Sequence, residues 1–247
     1  MKRVILAAFA LVMLLSANAW AQKLVVAHDT NFKPFEFKDE TGNYTGFDIE
    51  LWKAIASEIG VEYTFQPNDF NGIIPGLQSA TFDAGIAGIT IKPERQEVVD
   101  FSDPYYDSGL VILVRADNND IKGIEDLKDK IISTKLATSS ADFAAGFAPK
   151  DNIKLYPNND AMFLELLSGG ADAVIFDMPV VKDFAQKAGK GQVKVVGPLY
   201  QGQSYGIAFP KGSDLKPKVD AALKKLRENG TYEKLYIKWF GYAPAKK

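Results

Sequence analysis

The sequence of 247 residues contains no cysteine and only one histidine, His28. Without cysteine there are no disulfide bonds and no thiolate metal ligands, and a chain of this length can build its core without them. A single imidazole allows no histidine cluster for a metal, and no Ser-His-Asp set, GxGxxG or Walker-type phosphate loop occurs. We therefore predict no cofactor, and an enzyme would have to work with carboxylates and one imidazole.

Long apolar runs are also scarce, and the one that occurs lies at the N-terminus. Val4–Leu15 follows Lys2 and Arg3 and precedes a stretch of small residues, 16–21. This order is typical of a cleaved secretory signal, and removing 21 residues from 247 leaves a mature chain of 226. No cysteine follows the signal to carry a lipid, and no later run approaches the ~20 residues of a spanning helix. We therefore expect the mature protein to be free in the exported compartment.

Charge of one sign is not concentrated anywhere in the chain. The net charge of −2 becomes −4 when Lys2 and Arg3 leave with the signal, and no cluster of Lys and Arg is interleaved with aromatic residues. Nucleic acid and anionic membrane are therefore not predicted as partners.

The mature chain alternates β-branched runs with helical patterns, which predicts an α/β protein with mostly parallel sheets. The first helix is expected from about Ile49, with Asp48 at its N-cap and Gly60 at its C-terminal stop. A weak internal echo, LQSATFDA at 77–84 against LLSGGADA at 166–173, supports two lobes of similar build. Strands are predicted at 23–28, 61–65, 84–91, 109–114, 131–134, 173–176 and 205–209, and helices at 72–79, 94–98, 140–146, 160–168, 179–188, 216–228 and 232–239.

Polar residues that follow strands are the candidates for a ligand site, since ligands of open α/β sheets bind at the carboxyl ends of strands. Asp29, the segment 88–95, the segment 135–142 and Asp177 meet this condition. Each also has a plainer interpretation. Arg95 could form a surface salt bridge with a neighbouring acid, Asp29 could serve a turn, and Asp177 could cap a helix.

Three segments carry a resemblance to a known family. GFDIELWKAIA at 46–56, FNGIIP at 70–75 and GITIKPERQEVVDFSDPYY at 88–106 resemble the periplasmic polar-amino-acid binding proteins of ABC importers, solute-binding protein family 3. The likeness extends through the mature chain to PKGSDLKPKVDAALKKLRENGTYEKLYIKWFG at 210–241 and is nearest to the glutamine-binding members.

The resemblance implies two α/β lobes that are joined by two crossing strands and hinge shut over a ligand. It implies hinges at 105–109 and 201–205, so that lobe one comprises 22–104 with 206–247 and lobe two comprises 110–200. It further implies a monomer that binds an amino acid without chemical conversion and docks on an inner-membrane ABC permease.

The resemblance also implies a set of ligand-binding residues. Arg95 would bind the α-carboxylate with Thr90 and the backbone N–H near Ser139, while Asp177, the Gly88 carbonyl and Thr90 would receive the α-ammonium. The full predicted set is Asp29, Phe32, Phe70, Ala87, Gly88, Thr90, Arg95, Lys135, Thr138, Ser139 and Asp177.

The resemblance implies that Asp29 and Lys135 recognise the side chain of the ligand. With Phe32 and Phe70 around the ligand side chain, Asp29 would accept from a carboxamide NH₂ and Lys135 would donate to its carbonyl, which predicts glutamine. The chain departs from the glutamine-binding pattern at four positions. Phe176 replaces a histidine, Ala137 and Ser139 replace glycines, and His28 replaces a small residue.

Three alternatives remain open from the sequence. The ligand could be another amino acid, and the protein could present it to a receptor instead of a transporter. The same scaffold could also carry a dehydratase or lyase, with His28 and Asp29 as its acid-base pair.

Overall fold

The computed structural model describes residues 23–245, and the predicted export signal lies outside them. Two five-stranded sheets organise the chain, one in each of two α/β lobes. Lobe one contains the sheet with strand order β4-β1-β5-β12-β6, and lobe two contains the sheet with order β11-β7-β10-β8-β9. The strands are β1 Leu24–His28, β2 Phe37–Lys38, β3 Tyr44–Thr45, β4 Tyr63–Pro67, β5 Ala84–Gly85, β6 Val99–Phe101, β7 Tyr106–Arg115, β8 Ile132–Lys135, β9 Ile153–Tyr156, β10 Ala173–Asp177, β11 Val193–Tyr205 and β12 Ala208–Pro210.

Helices cover the sheets, and all the predicted ones are present within about two residues of their expected bounds. They are α1 Phe47–Ile59, α2 Phe70–Gln78, α3 Pro93–Gln96, α4 Ser139–Ala145, α5 Asn159–Leu167, α6 Met178–Gln186, α7 Leu215–Glu228 and α8 Thr231–Phe240, with 3₁₀ turns at Ile124–Leu127 and Lys150–Asn152. Between residues 23 and 245, no helix combines the length and apolarity that a membrane span requires.

The predicted two-lobed α/β architecture is confirmed, but the sheets are mixed instead of mostly parallel. β1 pairs in parallel with β4 and β5, whereas β12 runs antiparallel to β5 and β6. In lobe two, β8 pairs in parallel with β9 and β10, whereas β7 runs antiparallel to β10 and β11. The antiparallel strands are those around the two passages of the chain between lobes.

β7 and β11 are long partners that lie side by side. Their pairing runs from Tyr106 opposite Tyr205 to Arg115 opposite Val193, with register shifts near Tyr200. Most of β11 is exposed or half-buried, so it lacks the apolar run of a buried strand, and the sequence reading missed it. The predicted strand at 205–209 is instead the end of β11 and the start of β12. The predicted hinge ranges pair with one another here, and the lobe boundaries stay a prediction.

The start of α1 corrects a prediction. Gly46, not Asp48, is the N-cap, and the helix begins at Phe47. Gly46 has a φ of 130°, and a Cβ there would lie 2.0 Å from the Phe35 carbonyl oxygen, so only glycine fits. Asp48 is consequently inside the first turn and fully buried, while Gly60 ends the helix in the left-handed conformation as predicted.

The strand predicted at 84–91 is also shorter than expected. β5 ends at Gly85, and the following residues leave the sheet. Gly88 adopts a φ of 54°, and a Cβ there would meet the Phe32 ring at 2.3 Å. The chain therefore turns at Gly88 with its backbone close to Phe32, and this turn shapes the site described next.

Candidate functional site

A small cavity of about 10 Å³ lies between the two lobes, among the residues predicted to bind ligand. Lobe one contributes the loop after β1, the start of α2 and the segment after β5, and lobe two contributes the ends of β8 and β10 with the start of α4. The lining residues are Phe32, Phe70, Gly88, Thr90, Arg95, Lys135, Thr138, Ser139 and Asp177. Nine of the eleven predicted residues are thus brought together.

The other two predicted residues lie just outside this lining. Asp29 is 1% exposed and pairs with Lys135, so it is in contact with the cavity through its partner. Ala87 is also 1% exposed and packs in an apolar cluster with Phe70 and Ile89. Its side chain does not line the cavity, so any role in binding would fall to its backbone.

Arg95 is buried, and no carboxylate of residues 23–245 pairs with it. Its Nη1 donates to the Thr90 carbonyl at 3.1 Å and its Nη2 to the Ala137 carbonyl of the other lobe at 3.0 Å. The guanidinium carbon lies 5.3 Å from the centre of the Phe70 ring. Burial lowers the pKa of Arg95, and the nearby Asp142 and Asp177 oppose that effect. The surface salt bridge considered from the sequence does not form among the described residues.

Asp177 sits at the end of β10, opposite the position of Arg95 in the other lobe. It occupies the N-cap position of α6, but its side chain makes no capping hydrogen bond. One carboxylate oxygen instead accepts from the Tyr205 hydroxyl. Burial raises the pKa of Asp177 to about 6, although the Tyr205 hydrogen bond and the Arg95 charge act the other way. The plainer capping interpretation therefore does not account for this carboxylate.

Asp29 and Lys135 form an ion pair across the cleft, and both side chains are 1% exposed. Asp29 also accepts from the Thr30 N–H at 2.7 Å. The Lys135 ammonium lies 6.0 Å from the centre of the Phe32 ring and 5.8 Å from that of Phe70. The pair therefore lies beside the same two rings that were predicted to enclose a ligand side chain.

Gln203 of β11 is a site residue that the sequence reading missed. Its Oε1 accepts from both Thr90 Oγ1 and Ser139 Oγ at 2.7 Å, so it joins one residue from each lobe. Its Nε2 is buried and makes no hydrogen bond within the described chain. A polar residue in a half-exposed strand gives no sequence signal for this role.

The turn before α4 tolerates the two replacements of glycine. Ala137 adopts a φ of 62°, a left-handed conformation that carries a cost for any residue with a Cβ. Ser139 has an ordinary helical position at the start of α4, and Thr138 caps that helix by accepting from the Ala141 N–H at 3.3 Å. The conformational strain therefore falls on Ala137, whose carbonyl accepts the Arg95 hydrogen bond.

A second layer of acids lies behind Gly88. Asp48 accepts from the Gly88 N–H at 3.0 Å and from the Tyr105 hydroxyl at 2.7 Å, so it holds the Gly88 turn in place. Burial raises the pKa of Asp48 to about 7. Burial and then the charge of Asp48 raise the pKa of Glu36 well above its usual range. The sequence reading missed this layer because it assigned Asp48 to a helix cap.

His28 and Phe176 are buried outside the lining of the cavity. The His28 Nδ1–H donates to the Asp29 carbonyl at 2.7 Å, and its ring packs 4.4 Å from that of Tyr44 and 5.4 Å from that of Phe65. Burial lowers the pKa of His28, which favours neutral imidazole. Phe176 is fully buried and contacts the Phe32 ring edge-on at 5.9 Å. Neither residue lines the cavity.

Comparison with known proteins matches this architecture to a family. The model of the bacterial extracellular solute-binding proteins, family 3, matches residues 24–242. The arginine-binding extracellular protein ArtP of Bacillus subtilis (strain 168) is 35% identical over 240 residues, which is 94% of this chain and 93% of the relative.

Two solved structures extend the comparison. The arginine-, lysine-, histidine-binding protein ArtJ from Geobacillus stearothermophilus has a TM-score of 0.86 at 37% identity, covering 90% of this chain and 97% of its own. An ancestral arginine-binding protein bound to glutamine has a TM-score of 0.83 at 44% identity, covering 89% of this chain and 98% of its own. These relatives do not single out the glutamine-binding members that the sequence resembled most. The family match spans nearly all the described residues, and the chain belongs to the bacterial extracellular solute-binding proteins, family 3.

Proposed function

We propose that this protein binds a polar L-amino acid, specifically glutamine, between its two lobes in the periplasm and delivers it to an ABC transporter. Amino-acid binding follows from family membership and from relatives that are named for amino acids. The choice of glutamine rests on one observation, the buried Asp29–Lys135 ion pair beside Phe32 and Phe70.

The charges of the site match those of a zwitterion. Arg95 has no carboxylate partner in the part of the chain that the structure describes, so it is available for the α-carboxylate, and Asp177 is available for the α-ammonium. Because a buried charge is costly unless it is paired and hydrogen-bonded, both ends of the ligand need these partners. With Asp29 and Lys135 compensating one another, the site has no remaining charge for a ligand side chain to neutralise.

A neutral carboxamide is the side-chain tip that this balance favours. Its NH₂ group can donate to Asp29 while its carbonyl accepts from Lys135, so the ion pair is hydrogen-bonded through the ligand without a change in net charge. An arginine side chain would bring a second cation close to Lys135, and a glutamate side chain would bring a second anion close to Asp29. Each would add a buried like-charge contact.

The similarity to arginine-binding proteins makes arginine the competing ligand. Two of the reported relatives are named for arginine, and the third is an ancestral arginine-binding protein with glutamine bound. A family scaffold of this kind therefore holds either side chain. The lysine at position 135, buried next to Asp29, is what favours glutamine in this chain.

Binding requires the lobes to separate first. A cavity of about 10 Å³ is close to the space of a single water molecule, which is too small for any amino acid. Opening would separate Lys135 from Asp29 and Arg95 from the Ala137 carbonyl, since each contact joins the two lobes. We propose the paired segments 105–109 and 201–205 as the hinges of this motion and a monomer as the functional unit.

Calorimetric titration of refolded mature protein tests the assignment. We expect one-to-one binding of glutamine, with arginine and glutamate at least about tenfold weaker because each adds a buried like-charge contact, tenfold being about 1.4 kcal/mol; histidine completes the panel. Refolding removes any amino acid retained through purification. Tighter binding of arginine would overturn the choice of glutamine and keep the amino-acid clamp. No heat with any amino acid would overturn the clamp as well.

The enzyme alternative loses its proposed acid-base pair in the structure. The His28 ring packs against Tyr44 and Phe65 instead of lining the cavity, and Asp29 is engaged with Lys135. We therefore propose binding without chemical conversion.

A further inference from the structure

A second cavity lies between the lobes and shares no lining residue with the first. Its volume is about 380 Å³, within the range of small-molecule sites. Lobe one contributes Phe37 and Trp239, whose rings meet edge-on at 5.9 Å, and lobe two contributes Phe163 and Phe184, whose rings stack at 3.9 Å. Aromatic pairs from both lobes therefore provide apolar walls for a planar group.

Asn159 is the unexplained polar residue of this cavity. It is 2% exposed, and neither Nδ2 nor Oδ1 of its side chain has a hydrogen-bond partner within residues 23–245. It is not needed as a helix cap, because Asn158 already caps α5 by accepting from the Ala161 N–H at 3.0 Å. A buried amide with no partner costs about 1–3 kcal/mol, so its presence requires an explanation. A ligand that both donates to and accepts from the amide would supply one.

Among the described lining residues, Lys33 is the one cation without a carboxylate partner. Lys187 pairs with Asp183 at 2.5 Å and Lys238 with Glu50 at 2.6 Å. Lys33 lies with its ammonium 5.1 Å from the centre of the Phe37 ring and has no carboxylate partner in the described part of the chain.

The last acid of the lining forms a hydrogen bond with a neutral side chain. Asp160 accepts from the Asn31 side chain of the other lobe at 2.7 Å. Because Asn31 is neutral, Asp160 keeps its charge, so Lys33 favours a carboxylate on a ligand and Asp160 favours a hydrogen-bond donor.

We propose that this cavity is a second ligand site, for a small aromatic carboxylate, that is coupled to amino-acid binding. The ring system would lie between the aromatic pairs, the carboxylate would bind Lys33, and a polar ring atom would pair with the Asn159 amide. Because both lobes supply the walls, an occupant binds the closed form better than the open one. It therefore tightens amino-acid binding, and the amino acid tightens its binding by the same factor.

Indole-3-acetate is a suitable probe, because it combines a planar ring system, a ring N–H and one carboxylate. We would titrate it calorimetrically into mature protein alone and into protein saturated with whichever amino acid binds in the panel above. We expect one-to-one binding that is tighter to the loaded protein, and an equal improvement in amino-acid affinity when the probe is present. The proposal is overturned if neither form binds the probe saturably.

Substitutions of single lysines test whether the probe binds in this cavity. Lys33→Met should weaken probe binding about tenfold or more through loss of the charge partner. The matched control is Lys190→Met, since Lys190 is exposed and outside the cavity lining, and it should change nothing. Equal affinity in the two variants would contradict the proposal. Displacement of the probe by the amino acid, or its loss in Arg95→Met, would place it in the first cavity and also overturn it.

Asn159→Leu separates a ligand-binding role from a structural one. Replacing an unpartnered buried amide with an apolar group should leave the melting temperature equal or higher, while probe affinity falls about tenfold. A lower melting temperature with unchanged probe affinity would assign Asn159 to the fold alone. These readouts use the probe with and without amino acid, so failure of glutamine binding and failure of this site are distinguishable.

Discussion

Two groups of buried acids lie close together in lobe one and are compensated in different ways. Asp29 has a cation, Lys135, that comes from the other lobe. Glu36 and Asp48 have no ion-pair partner in the described chain, and burial raises the pKa of both. The Asp29 pair depends on the conformation of the two lobes, whereas Asp48 is held by the Gly88 N–H and the Tyr105 hydroxyl. A buried acid with a cation partner in the other lobe therefore loses its ion pair when the lobes separate, whereas a buried acid without one has a raised pKa and is sensitive to pH.

Removing the cation should give the largest effect. Lys135→Met leaves the Asp29 carboxylate buried and unpaired in the closed form, which should cost about 3–5 kcal/mol of closed-state stability. Glutamine affinity should fall, and the preference should shift toward arginine, whose side chain can replace the lost charge. Calorimetry with both amino acids measures this shift. The double variant with Asp29→Asn should recover part of the loss, and no recovery would contradict the pairing.

Arg95→Met should have the next largest effect, on affinity. The α-carboxylate loses its charge partner, so binding should weaken by about 2–5 kcal/mol, in addition to the stability lost with its two hydrogen bonds to carbonyls. Arg115→Met is a matched control, because Arg115 also donates to two carbonyls, those of Leu166 and Ala171, but lies outside the cavity. It should lower stability and leave affinity unchanged. A reversed pattern between the two arginines would refute the clamp.

Asp48→Asn tests the cation-free acids. The carboxyl of Asp48 has a pKa of about 7 in the folded protein, against about 3.9 when unfolded. Between these values only the folded form keeps the proton, so the free energy of unfolding falls as pH rises from about 4 to 7. The variant should make this decline shallower by about 1.4 kcal/mol per pH unit, measured by urea unfolding at several pH values.

Asp39→Asn is the control for that experiment. Asp39 is a half-buried turn residue whose pKa is lowered by the Thr41 hydroxyl, so its variant should not flatten the decline. An unchanged slope in Asp48→Asn would show that Asp48 is ionised in the folded protein at low pH.

The smallest expected effect is a loss of ligand affinity at low pH, caused by protonation of Asp177. Its pKa of about 6 means that the carboxyl is mostly protonated below that pH, and a protonated acid does not compensate an ammonium group. Affinity should therefore fall about tenfold per pH unit below about 6 and be level above it. Titrations between pH 4.5 and 7.5 measure this dependence. A level profile down to pH 4.5 would remove Asp177 from the ammonium site.

Much of this site was predictable because strand ends in an α/β sheet converge. Asp29, Arg95, Lys135 and Asp177 each follow a strand or turn that the sequence marks clearly, and the family resemblance completed the set. The prediction failed where a role depends on tertiary contacts. Asp48 carries the local signal of a helix cap, yet it is buried and bonded to Gly88 and Tyr105.

The crossing strands were harder still to read. β11 is largely exposed or half-buried and carries register shifts, so neither its length nor the contacts of Gln203 follow from hydrophobic pattern. Ala137 is a further case, because a left-handed alanine is visible only in the backbone. Local sequence patterns therefore predict the strands and helices, but they do not predict the contacts of Asp48 and Gln203 or the backbone of Ala137.

The Asp29–Lys135 contact also has a consequence for the rate of binding. A closed form in which Asp29 and Lys135 pair with one another competes with the ligand, and a cavity of about 10 Å³ gives the ligand no entry until this form opens. The observed association rate should then level off at high ligand concentration, at the rate at which the lobes part. Weakening the contact should raise that plateau, so the ion pair proposed to select the ligand would also limit how fast the ligand is captured.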